Sequence, residues 1–145
     1  MALGLIIGVQ QARANNSDEG GGGDVTVVPF EANSGDACGT ADGQFSWLGD
    51  QRVFIGGTLT DRATGCGDME TTITFTVYVA PYGDTTVYTE RADNVTKEYG
   101  WREDPKGDPD STPSIDRILV NVCRKPIGGG SGAYCGATRT YRPPT

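Results

Sequence analysis

The chain has 145 residues, a net charge of −7, and only 36% hydrophobic residues beside 22 glycines. That composition suits short strands joined by many turns better than helices. Histidine is absent, which excludes Ser-His-Asp triads, Cys-His nucleophiles and histidine metal sites, and the acidic balance without a basic stripe excludes nucleic-acid binding.

Met1 is followed at once by an apolar run, Ala2 to Val9, and Ala12-Arg13-Ala14 fits the small-x-small pattern of signal-peptidase cleavage. Residues 1–14 therefore read as a signal peptide that lacks its basic segment. The run is far shorter than the roughly 20 apolar residues a bilayer span needs, so no membrane span is expected. Asn15 to Glu19 and the glycines Gly20 to Gly23 have linker composition. Residues 15–37 are expected to form a flexible, extended arm. Inside it Val25 to Phe30 (VTVVPF) has strand character, and Pro29 would confine such a strand to a sheet edge.

Residues 38–145 are expected to form one β-sandwich domain. Phe45 to Leu48 is a short strand candidate. Arg52 to Leu59 (RVFIGGTL) turns Val53, Ile55 and Leu59 inward, and Gly56-Gly57 marks a bulge or the close approach of another segment. Thr71 to Ala80 (TTITFTVYVA) alternates strictly: Ile73, Phe75, Val77 and Val79 on one face, Thr72, Thr74, Thr76 and Tyr78 on the other. Thr86 to Thr89 and Thr96 to Trp101 are shorter candidates. Ser114 to Arg124 places Ile118, Val120 and Val122 inward. Ala133 to Ala137 and Thr138 to Arg142 complete the series. Turn residues recur between these runs at Gly49-Asp50, Gly65 to Asp68, Pro81 to Asp84 and Pro105 to Pro113. No stretch of helical length carries an i, i+3, i+4 stripe. The prediction is an all-β, antiparallel two-sheet sandwich of immunoglobulin-like type, with two disulfides and a flexible N-terminal extension.

The cysteines are Cys38, Cys66, Cys123 and Cys135, none in C-x-x-C spacing. An even number in a small exported chain favours disulfides over a zinc site. Strands on both sides of the Gly128-to-Gly132 stretch bring Cys123 beside Cys135, which leaves Cys38 with Cys66. Four cysteines allow three pairings, and Cys66–Cys123 with Cys38–Cys135 is the next choice.

Trp47 and Trp101 each fit a sandwich core, which their large apolar area favours. The rival for Trp101 is a sugar-stacking platform, with Tyr99 on the same face and Tyr78, Tyr82 and Tyr88 extending it. Glu103-Asp104-Pro105-Lys106-Gly107-Asp108-Pro109-Asp110 is dense in carboxylates, but the ligand spacing of a helix-loop-helix calcium site is missing, so a solvated turn is preferred and no metal is assigned. Asp61, Asp68, Glu70 and Glu103 are the carboxylates available for glycoside hydrolysis, whose acid and base must stand a defined distance apart. Asn15-Asn16-Ser17 and Asn94-Val95-Thr96 match the glycosylation pattern.

Gly56 to Arg62 (GGTLTDR), Gly65-Cys66-Gly67 and Asp116 to Arg124 (DRILVNVCR) resemble a group of small secreted actinobacterial proteins, mostly uncharacterised. The likeness covers roughly residues 50 to 124. It implies export, disulfides and a β-sandwich, and it carries over no catalytic residue. Cys38 and the Gly-rich hairpin after Cys123 depart from the pattern.

The function expected is a secreted, non-catalytic binding module that forms part of an extracellular assembly, with residues 24–37 as the arm that reaches the partner. The partner is another secreted protein or a cell-surface glycan. A carbohydrate-binding module built on Trp101 and Tyr99 is the alternative, and a carboxylate glycosidase the least favoured. No catalytic residue and no cofactor are assigned.

Overall fold

The computed structural model describes residues 25–62, 65–67, 69–81, 83–104, 113–127 and 132–144. The described residues form nine strands in chain order: β1 (Val25–Asn33), β2 (Gly39–Leu48), β3 (Arg52–Asp61), β4 (Met69–Ala80), β5 (Asp84–Ala92), β6 (Thr96–Glu103), β7 (Ser114–Pro126), β8 (Tyr134–Cys135) and β9 (Arg139–Tyr141). The described residues contain no helix, so none is long and apolar enough to cross a membrane.

The strands form two antiparallel sheets, one of four strands in the order β1-β2-β3-β6 and one of five in the order β5-β4-β7-β8, with β9 also on β7. The layering is the sandwich that the alternating strands predict. Its strand order is its own: β1 to β3 form a meander, β4 and β5 a hairpin in the opposite sheet, and β6 returns to lie beside β3. Ile73, Phe75 and Val77 of β4 face Val122, Val120 and Ile118 of β7 in register, and all six are fully buried. Phe45, Trp47, Val53, Ile55 and Leu59 line the other sheet. Trp47 is a core residue. Aromatic rings run through the interior, from Tyr141 and Phe30 through Phe45 and Phe75 to Tyr99 and Trp101.

β1 corrects the expectation for residues 15–37. Val25–Asn33 pairs residue for residue with β2, Pro29 opposite Gln44, as an edge strand. It contributes Phe30 and Ala32 to the core, so the sandwich begins at Val25 and not at residue 38. Period two explains this: Val28, Phe30 and Ala32 share the inward face. The expected leader of residues 1–14 and the linker before Val25 lie outside the described residues.

Two glycines of the meander are required by close backbone approach. Gly43 and Gly57 are opposed across β2 and β3 without a register shift, which settles the alternatives for Gly56-Gly57 in favour of close approach. A Cβ on Gly57 would stand 2.0 Å from the Asp42 carbonyl oxygen, and one on Gly43 2.1 Å from that of Gly56. On the inner face their row continues to Phe30 on one side and Tyr99 on the other. Tyr99 donates from its hydroxyl to the Asp42 carbonyl at 3.2 Å. Burial first, and then the nearby Asp42 carboxylate, raise the Tyr99 phenol well above its ordinary value.

Candidate functional site

The two disulfides are Cys38–Cys66 and Cys123–Cys135, the pairing the hairpin argument favours. Cys123 and Cys135 are directly opposed between β7 and β8. Two disulfides point to an oxidising compartment.

Between them lies a feature that the sequence reading missed. Arg124 ends the inward row Ile118, Val120, Val122, and Asp61 ends the inward row of β3. Both are buried, the arginine completely. Arg124 donates through Nε to Asp61 Oδ1 at 3.2 Å, through Nη1 to Asp36 Oδ2, and through Nη2 to the Cys66 carbonyl at 2.9 Å. Asp61 also accepts from the Thr71 hydroxyl and from the Asn94 N–H. Asp36 accepts from the Ser34 hydroxyl and the Cys38 N–H. Partial burial opposes ionisation of Asp36, but the hydrogen bonds from Ser34, Cys38 and Arg124 outweigh it and hold the carboxyl below its ordinary value. Burial disfavours the Arg124 charge, and its two carboxylate partners more than restore it. Each side-chain nitrogen of Arg124 and each carboxylate oxygen of Asp36 and Asp61 has a hydrogen-bond partner within the chain. The cluster is a lock between the sheets. The signal for it was parity: a charged residue that continues an apolar inward row must be paired inside.

The carboxylates considered for hydrolysis are dispersed among structural partners. Asp61 belongs to the lock. Glu70 pairs with Arg91 at 3.7 Å. Glu103, almost buried, accepts from the Tyr88 hydroxyl at 2.5 Å. Burial and that carboxylate together raise the Tyr88 phenol above its usual range. Asp68, Tyr82 and the acidic stretch beyond Asp104 lie outside the described residues. Among the described residues no group of His, Cys, Asp and Glu could hold a metal ion.

Trp101 and Tyr99 are on one face of β6, as their spacing requires, but that face turns inward. Tyr99 is only 6% exposed, and Trp101 is half-buried against the core. Their rings stack on each other at 5.4 Å, with Phe75 5.6 Å from both and Tyr88 5.4 Å from Trp101. The two rings are therefore packed among other rings of the chain, Tyr99 buried and Trp101 half-buried. The register of β6 against β3, Tyr99 opposite Gly57, imposes this. Tyr78 is occupied by the Arg117 guanidinium, 3.9 Å above its ring.

Hollows on the described surface include the following. One is lined by Glu70, Glu90, Arg91, Asp93 and Lys97, where Arg91–Glu70 and Lys97–Glu90 form pairs and Asp93 has no ion-pair partner among the described residues. A second lies at Asp50, Asp116 and Arg142, where Asp116 is held by Arg117 and Arg142. The third, of about 400 Å³, runs along the open side of the sandwich between β1 and β9 and is lined by Pro29, Phe30, Glu31, Asn33, Arg139 and Tyr141. Phe30 and Tyr141 form an aromatic base, 6.2 Å between ring centres. Glu31 and Arg139 are exposed on its two strands, and neither has an ion-pair partner among the described residues. This groove keeps polar capacity that the fold does not use.

No family model matches this chain, and neither a curated protein nor a solved structure matches it.

Proposed function

We propose that the protein is an exported, non-catalytic binding module that grips an extended segment of another exported protein in the groove between β1 and β9. The observation that carries this reading is the groove itself: an aromatic base, with a carboxylate and a guanidinium that have no ion-pair partner among the described residues, beside the edge of a nine-residue strand that pairs on one side only among them. An extended segment laid along β1 gains main-chain hydrogen bonds from the edge and selectivity from the side chains around it. The free charges of opposite sign on the two strands favour a segment that carries both an acid and a base. The apolar run before Ala12-Arg13-Ala14, the likeness to secreted actinobacterial proteins and the disulfides support export.

The test is capture from culture medium. The wild-type chain should retain a specific protein, and Glu31→Arg with Arg139→Glu should release it without lowering the melting temperature. Equal recovery by the charge-reversed form, or no specific capture by the wild type, overturns the reading.

A further inference from the structure

Strand β6 is the free edge of the four-stranded sheet, and its sequence Lys97 to Glu103 (KEYGWRE) reads as a charge palindrome about Gly100. We propose that β6 pairs with β6 of a second copy of this chain, antiparallel, about a two-fold axis at Gly100. The contact is independent of the groove.

The pairing follows from the order of residues. In an antiparallel ladder centred on Gly100, Glu98 meets Arg102 of the second copy, Lys97 meets Glu103, Tyr99 meets Trp101, and the symmetry repeats each pair. Directly opposed Cβ atoms stand about 5 Å apart, within ion-pair reach for these side chains. Lys97 and Glu103 are already engaged within the chain, by Glu90 at 2.8 Å and by the Tyr88 hydroxyl. The side chains of Glu98 and Arg102 are not: both residues are exposed, share the outer face of β6, and have no ion-pair partner among the described residues, although the Arg102 carbonyl accepts from the Tyr88 hydroxyl at 3.4 Å. They supply the specific contact twice. A slip by one pair in one direction sets Glu98 against Asp104 of the other copy, and in the other direction leaves both charges unmatched, so the register is fixed.

Charges on an edge strand ordinarily block pairing. Here the order reverses that effect, because the second copy presents the opposite sign at each outer position. The remaining edges fit less well. β1 carries a single charged residue, Glu31, and so offers a second copy of itself no ion pair, and β8 and β9 have two and three residues. β5 is long and its Val87 is 57% exposed, but set against itself about Tyr88 it places Thr85 against Arg91 and Thr86 against Glu90, with no ion pair formed.

Gly100 is the second observation. Glycine in a strand interior weakens it and marks a place where another backbone comes close. Nothing among the described residues explains it: a Cβ there would meet only the Ile55 carbonyl oxygen at 3.8 Å among them, and Gly100 is not among the positive-φ glycines. The product is a sheet of eight strands, four from each copy, continuous through the two β6 edges.

Sedimentation velocity over a concentration series tests this on the full chain. The wild type should form a reversible dimer that weakens with salt. Glu98→Arg and Arg102→Glu should each weaken association by about tenfold or more, since like charges then face each other twice. The double variant Glu98→Arg with Arg102→Glu should restore the dimer, an outcome that a general loss of folding cannot imitate. If a single reversal fails to fold, Glu98→Gln and Arg102→Gln take its place with a smaller loss expected. A wild type that stays monomeric throughout, single variants that associate as the wild type does, or a double variant that does not recover each overturns the proposal.

Discussion

Arg124 of β7 donates to Asp61 of β3 at 3.2 Å, and neither side chain reaches solvent. The contact crosses from one sheet to the other at the end where the Cys38–Cys66 bridge also sits. It sets opposite charges at the ends of two inward rows, where a lone charge would not be tolerated.

Breaking that pair should be costly. Arg124→Met leaves Asp61 buried without its cation, and a loss of about 3–5 kcal/mol of unfolding free energy is expected. Asp61→Asn should cost a similar amount. The two losses combined should fall short of their sum, because both remove the same contact. Denaturant titration of the four forms measures the coupling, and strict additivity would contradict the lock.

Asp36 makes stability depend on acid. Its carboxyl is held below the ordinary value of 3.8, so the unfolded chain takes up a proton before the folded one does. The stability this group contributes is present in full above about pH 4 and is lost as pH falls through the folded value. Unfolding free energy should therefore drop on the acid side, and Asp36→Asn should flatten that part of the profile while lowering stability at neutral pH. A parallel decline in wild type and variant would show that other carboxylates carry it.

Phe30 distinguishes a strand from an arm. The ring is 3% exposed and packs on Phe45 at 4.7 Å. Phe30→Ala should cost about 3–5 kcal/mol, seen as a large fall in melting temperature. An unchanged melting temperature would return residues 25–37 to the role of a docking arm.

The strands were legible wherever apolar residues alternated with threonine or charge. TTITFTVYVA fell within β4, which adds only Met69 and Glu70, and Ser114–Arg124 came within two residues of β7. The first half of β2, Gly39–Gln44, was not read as a strand, because Ala41 and Gly43 are the inward residues there and neither looks apolar enough. Gly43 is small because Gly57 faces it, a fact held in the pairing of two strands and not in either alone. β1 was seen as strand-like but assigned to an arm, since Pro29 and the glycines before it outweighed the alternation of Val28, Phe30 and Ala32. For the candidate site the sequence offered Trp101 and Tyr99 as a pair, correctly on one face. It could not say which way that face turned, because the direction is set by the row Phe30, Gly43, Gly57 and Tyr99. The groove between β1 and β9 joins segments far apart along the chain, and no local pattern announces it.

The bond between Cys123 and Cys135 spans 12 positions, and the sequence between them includes Gly128-Gly129-Gly130. A protease that nicks the backbone there does not release the C-terminal piece. The severed ends stay tethered through sulfur, with Arg139–Tyr141 still laddered on β7. Such a clipped molecule would migrate as one species on a denaturing gel and fall into two only after a thiol is added, so a single cut in a hostile medium need not end its working life.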